Sequence, residues 1–178
     1  MAVIISKSTL GKTAAPLLLV SLLSGCGLTQ SVSDGTVSMT KSLFYKTIKT
    51  LHLDFTTRST VNTDDSNAPL ATLVRVYQLK DRAAFDKADY QTLLTHAAEV
   101  LQHDLVAQRD VTVMPGGSAS LDMPLEADAS YVAVVGLFRS PDIQGNSWRV
   151  VIEREDLDPD KARTLQLEST GLKLLAED

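Results

Sequence analysis

Between Thr47 and Thr56 the chain alternates: Leu51, Leu53 and Phe55 are apolar, and His52, Asp54 and Thr56 are polar. Successive strand side chains point to opposite faces, so this period of two predicts a strand with one buried face. Thr72 to Leu79 (TLVRVYQL) predicts a second strand, and the stretch before it, Thr57 to Pro69 (TRSTVNTDDSNAP), is a loop dense in turn formers. From Lys80 to Leu105 the period changes. Tyr90, Leu93, Leu94, Ala97 and Leu101 recur at helical spacing, with Asp86 or Asp89 placed to cap the start. Beyond Leu105 the pattern returns to β. Arg109 to Met114 and Ser118 to Pro124 flank Pro115-Gly116-Gly117, which predicts a hairpin. Ser130 to Arg139 is apolar on both faces, as an interior strand is. Ser147 to Glu153 sets Trp148, Val150 and Ile152 against Arg149, Val151 and Glu153, and Thr164 to Leu167 and Leu172 to Leu175 close the series. The expected fold is mainly β: an antiparallel β-sandwich with one inserted helical segment.

The N-terminus follows another pattern. Lys7 and Lys12 precede an apolar run of ten residues, Ala14 to Leu23, and no acid occurs before Asp34. Ten residues match a signal-peptide core, whereas a membrane-spanning helix needs roughly 20. Leu23-Ser24-Gly25-Cys26 then reads as a lipobox, with cleavage before Cys26 and acylation of its sulfur. An ordinary secretory signal with an incidental cysteine is the plainer alternative. Two or three acyl chains anchor a protein stably, one only marginally, at roughly 0.8 kcal/mol per buried methylene. Gly27 stands where, in bacterial lipoproteins, an aspartate favours inner-membrane retention, so that resemblance implies the outer membrane. Three segments are expected: signal peptide 1–25, lipidated tether 26–46, and folded domain 47–178. A flexible tether of about 20 residues spans roughly 25 Å root-mean-square and about 70 Å when taut.

Composition narrows the function. Cys26 is the only cysteine, so the mature domain has no disulfide and relies on its core. The 17 basic residues less Lys7 and Lys12 leave 15 against 22 acidic ones, a formal charge of −7. That balance argues against nucleic acid and against lying flat on anionic lipid.

Catalysis needs a nucleophile, base or metal at workable spacing. His52 falls on a polar strand face, and His96 and His103 lie seven apart instead of at the i, i+4 spacing of zinc-binding helices. The glycines and serines of residues 116–120 are not in nucleophile-elbow order. Asp156, Asp158 and Asp160 begin a calcium-loop pattern, but Lys161 and Leu167 occupy the positions of its glycine and bidentate glutamate. No enzyme, metal or cofactor is expected beyond the acyl chains on Cys26. The Thr57–Pro69 loop is long for its place and rich in donors and acceptors (Arg58, Asn62, Asp64, Asp65 and Asn67), so it is either a tolerated insertion or a contact surface.

Val74-Arg75-Val76-Tyr77-Gln78-Leu79-Lys80-Asp81, then Phe85, Ala88-Asp89-Tyr90 and Leu93-Leu94, carry a family resemblance. So do Pro115-Gly116, the run Tyr131 to Arg139, and Trp148-Arg149. With the lipobox, the order and spacing of these residues resemble the TssJ (SciN) family, outer-membrane lipoproteins of the type VI secretion system. The resemblance implies a transthyretin-like β-sandwich without catalysis, lipid-anchored in the outer membrane and facing the periplasm. It implies binding to the periplasmic C-terminal region of the inner-membrane protein TssM, in a complex that also holds TssL. In the family the loop between the first two strands contributes to that contact, which points to Arg58, Asn62, Asp64, Asp65 and Asn67. Asp64 and Asp65 would meet basic or amide groups of the partner, and a short turn in place of the loop would leave the domain folded. The rivals are an unrelated sandwich lipoprotein (an assembly or carbohydrate-binding factor) and a lipid-anchored hydrolase or metal binder. A carbohydrate binder should expose aromatics, yet Trp148 is the only tryptophan and sits on an apolar face.

Overall fold

The computed structural model describes residues 48–176, so the signal peptide, Cys26 and the tether of 26–46 lie outside the described residues. The predicted alternation becomes β1 (Thr50–Thr57), with Leu51, Leu53 and Phe55 almost wholly buried. β4 (Ser118–Pro124) pairs antiparallel with it and sets Met123, Leu121 and Ala119 opposite those three residues. On the other side of β1 runs β7 (Arg163–Leu167), followed by β8 (Leu172–Leu174), giving a sheet in the order β4-β1-β7-β8. The second sheet has the order β3-β2-β5-β6, from β2 (Thr72–Leu79), β3 (Leu105–Val113), β5 (Tyr131–Leu137) and β6 (Arg149–Glu153). Val74, Val76, Val113, Val132, Val134 and Ile152 join the first sheet's leucines in one core. The fold is thus a mainly β sandwich of two four-stranded sheets, which the transthyretin-like description fits. Every pairing is antiparallel except β1 with β7, which is parallel.

β2 and β5 are buried on both faces for two reasons. They are the interior strands of their sheet, and the chain between β2 and β3 covers part of its outer surface. The ring of Tyr77 meets Phe85 edge-on at 6.2 Å, and Phe85, Leu93 and Leu101 are fully buried. Arg149 of β6 donates to the carbonyls of Phe85, Asp86 and Ala88 at 2.8–3.0 Å, which ties this segment to the sheet. Between the sheets the buried side chain of Gln78 forms a joint: it donates to the Pro124 carbonyl and accepts from the Glu126 amide, each at 2.8 Å.

Two local details differ from the pattern. The inserted helical segment stands between β2 and β3 as expected, but it is divided into three short helices: α1 (Ala83–Lys87), α2 (Tyr90–Thr95) and α3 (Ala97–Val100). Ala88 is extended, and the Asp89 carboxylate caps α2 by accepting from the Thr92 amide, so a new helix starts there. Asp86 lies inside α1, ion-paired with Arg82. The second difference is the hairpin. β3 and β4 belong to different sheets, so Met114 to Gly117 carries the chain across the sandwich. The turn chemistry itself is as expected: Gly116 has φ +67°, and the Gly117 amide donates to the Met114 carbonyl.

Candidate functional site

Strand directions sort the connections onto two ends. β1 leaves its last residue, Thr57, at the end where β4 begins and where β7 finishes, since Thr56 faces Ser118 and Thr57 faces Leu167. In the second sheet, Thr72 faces Val113, Leu73 faces Leu137, and Val135 faces Arg149. Four connections therefore gather at one end: residues 58–71, 114–117, 138–148 and 168–171. The chain enters the sandwich at the other end. There Arg154 holds the Ile48 carbonyl together with those of Glu126 and Ala129. β1 separates the two ends by eight residues, about 25 Å at a strand's rise.

The four loops brace one another. The Thr57 amide donates to the Gly117 carbonyl, and the Gly116 amide to the Arg58 carbonyl. The Asn62 amide donates to the Ser169 carbonyl, and the Asp142 amide to the Thr170 carbonyl. Within 58–71, Thr63 bridges Pro69 as a short ladder that closes the loop into a compact tip.

The five candidate loop residues divide by what they touch. Asn62 is 6% exposed with φ +48°; its carboxamide accepts from the Arg139 amide at 2.7 Å and donates to the Ala71 carbonyl at 3.3 Å. It holds the loop against the next one. Val61 beside it is fully buried, so this stretch is part of the core's lid and not a removable insertion. Asp64 folds the tip by accepting from the Ser66 amide, the Ser66 hydroxyl and the Ala68 amide. Those bonds, the Ser66 hydroxyl first, hold its carboxyl below the ordinary aspartate range. Asp65 is 91% exposed and meets Arg139 at 2.6 Å. Arg58 is exposed, and so is Asn67, whose φ of +63° suits the tight tip. The loop therefore brings Arg58, Asp65 and Asn67 to the surface, buries Asn62, and commits the Asp64 carboxylate to its own turn.

A second set of surface residues falls outside the strand and helix patterns of the sequence. The exposed large apolar residues among the described ones are Leu70, Leu94, Met114 and Ile143. Leu94 belongs to α2; the other three sit on the loops of this one end. The available signal was a lone large apolar residue within each turn-forming stretch: Leu70 after Pro69, Met114 before Pro115, and Ile143 amid Pro141, Asp142, Gly145 and Asn146. Arg139, which joins two loops, carried no comparable signal.

Elsewhere polar groups answer local needs. His52 pairs with Asp122 across β1 and β4. Among the described residues no three His, Cys, Asp or Glu side chains gather as metal ligands. Trp148 is 2% exposed and stacks edge-on against Tyr90 at 5.1 Å, which removes the exposed tryptophan a carbohydrate binder would use.

Fold and loops together define a class: a small β-sandwich module that presents ordered loops from one end. The family model for type VI secretion lipoproteins (T6SS-SciN, whose members include VasD, EvfM and TssJ) matches residues 49–170. That is well over half of the 178 residues, and the chain belongs to this family of lipoproteins. No match was found among the curated proteins. Among solved structures, a chain in "T6SS protein TssM C-terminal domain (869-1107) from EAEC" is 44% identical, with a TM-score of 0.67 over 73% of this chain and 100% of that one. A chain in "Type VI membrane complex" is 46% identical, with a TM-score of 0.70 over 72% and 99%. The T6SS lipoprotein TssJ1 from Pseudomonas aeruginosa shares the fold at 22% identity, with a TM-score of 0.61 over 73% and 97%.

Proposed function

We propose that this protein joins the outer membrane to the type VI secretion machine by gripping the periplasmic C-terminal region of TssM, in the complex that also holds TssL. Acyl chains on Cys26 hold one end in the outer membrane, residues 26–46 cross the gap, and the sandwich faces the periplasm. It acts by contact and not by catalysis. The observation that carries this reading is the separation of the two ends: chain entry at one, braced loops at the other. A partner bound to the loops would then stand on the side away from the lipid.

The choice of TssM rests on the neighbour in the TssM structure. The match spans that neighbour's whole chain with 73% of 178 residues, about 130, whereas the TssM C-terminal domain of that structure runs from 869 to 1107. The matched chain is thus too short to be that domain and accompanies it in the same structure. Exposed Arg58, Asp65 and Asn67 would form a polar rim that orients the partner, while Asn62 and Asp64 hold the loop in shape.

The test replaces the tip, residues 64–68, by a two-residue Asn-Gly turn. The domain should keep its cooperative unfolding and bind the TssM C-terminal domain more weakly. Unchanged affinity in a titration would refute the reading of this loop.

A further inference from the structure

We infer that binding at the loop end is driven by apolar anchors on three of its loops, Met114, Ile143 and Leu70, and not by the carboxylates of the 58–71 loop. This inference rests on the TssM reading above and assigns the chemistry of that same site. Three observations support it. Met114 is 62% exposed, Ile143 58% and Leu70 36%, so each presents apolar surface to solvent. They occupy three separate loops of one end, while Leu94 is the single other exposed large apolar residue among the described ones.

Next, the loops that carry them are fixed before any partner arrives. Met114 heads the crossing turn, whose glycines bond Thr57 and Arg58, and its own carbonyl accepts from the Thr57 hydroxyl at 2.9 Å. Ile143 follows Asp142, whose amide bonds Thr170 and whose carboxylate accepts from the Gly145 amide and the Ser147 hydroxyl. The Leu70 amide bonds the Val61 carbonyl. Anchors on rigid loops bind without the ordering cost that flexible ones incur.

Finally, the nearby carboxylates already have partners within the chain. Asp64 is committed to its own turn, Asp65 to Arg139, and Asp142 to its own loop. A binding partner would have to break those bonds before gaining new ones. The matching surface on TssM is therefore apolar, with pockets for a methionine and an isoleucine. Buried apolar anchors carry most of the energy in such contacts, and rim charges chiefly affect association rate.

The experiment places the mature full-length chain, acylated and held in lipid nanodiscs, against purified TssM C-terminal domain. Affinities are measured for wild type, Met114→Gln, Ile143→Gln, Asp65→Asn and, as a remote apolar control, Leu94→Gln. Each anchor variant should weaken binding about tenfold or more. Asp65→Asn and Leu94→Gln should each stay within about threefold of wild type. Thermal unfolding checks each fold, and Ile143→Thr replaces Ile143→Gln if that variant melts early. Anchor variants that bind like wild type, or an Asp65→Asn loss larger than theirs, overturn the inference and leave the TssM reading standing. A wild-type chain that does not bind the domain at all removes both.

Discussion

Asn62 shows how much one side chain can hold. Its carboxamide satisfies the Arg139 amide and the Ala71 carbonyl, and asparagine tolerates the left-handed backbone it adopts. Asn62→Ala strands both groups at a nearly dry site and should cost about 2 kcal/mol, read from urea unfolding of the soluble domain. An unchanged midpoint would remove the bracing role. A second residue-scale effect concerns acid. Arg75 and Asp110 face each other across β2 and β3 in a two-point pair, both bonds at 2.9 Å. Those bonds, ahead of all other causes, hold the Asp110 carboxyl below its ordinary value of 3.8. Asp64 and Asp142 are shifted the same way by hydrogen bonds. A depressed carboxyl stabilises the fold above its unfolded value, and that contribution is lost as pH falls through the folded value. Melting temperatures from pH 6 down to pH 3 should fall more steeply for wild type than for Asp110→Asn; parallel curves would contradict the assignment.

At the scale of elements, the helical segment owes its place to packing more than to helix strength. Helices of four to six residues have no stability of their own. Phe85, Leu93 and Leu101 dock them on the sheet, and the Arg149 guanidinium gathers three carbonyls around the end of α1. Arg149→Ala should raise amide exchange across residues 83–101 while β1 stays protected, with a stability loss of about 2 kcal/mol. Uniform exchange throughout the domain would show that the segment does not open by itself. Turn and strand chemistry were legible here: β2 and β4 have the bounds the pattern predicts, and Gly116 sits in the turn conformation that only its flexibility allows freely. The sheet in which each strand lies was not. A Pro-Gly-Gly turn joins neighbours in space, and both a hairpin and a crossing between sheets satisfy that. Likewise Tyr90 to Leu101 repeats at helical spacing whether or not the chain breaks at Asp89 and His96.

For the whole molecule, the proposed function makes the arrangement one of load and grip. β1 runs from the entry of the chain to the loops, so tension between lipid and partner would pass along a strand paired on both sides. Anchor and grip should then separate by mutation. Cys26→Ser should lose palmitate labelling and leave the membrane fraction, yet bind the TssM C-terminal domain in solution as tightly as wild type. It should fail to support secretion. Equal labelling of variant and wild type would refute the anchor, and lost affinity in solution would refute the separation.

The order of apolar and polar residues determined that this chain forms a mainly β domain with short helices between its second and third strands. It also carries the family pattern, and the residues before Cys26 that read as a lipobox, because those are local spacings along the chain. The tertiary structure alone decided which loops share an end, and with it what each loop residue is free to do. Asn62 and Asp65 look alike in a polar loop; only the approach of Arg139, 77 and 74 residues away, separates a buried brace from a surface charge. Met114 and Ile143 read as stray apolar residues in turns until the strand registers bring them to one end. The physical reason is that secondary structure follows from near neighbours, while exposure and partnership follow from contacts between residues far apart in the chain.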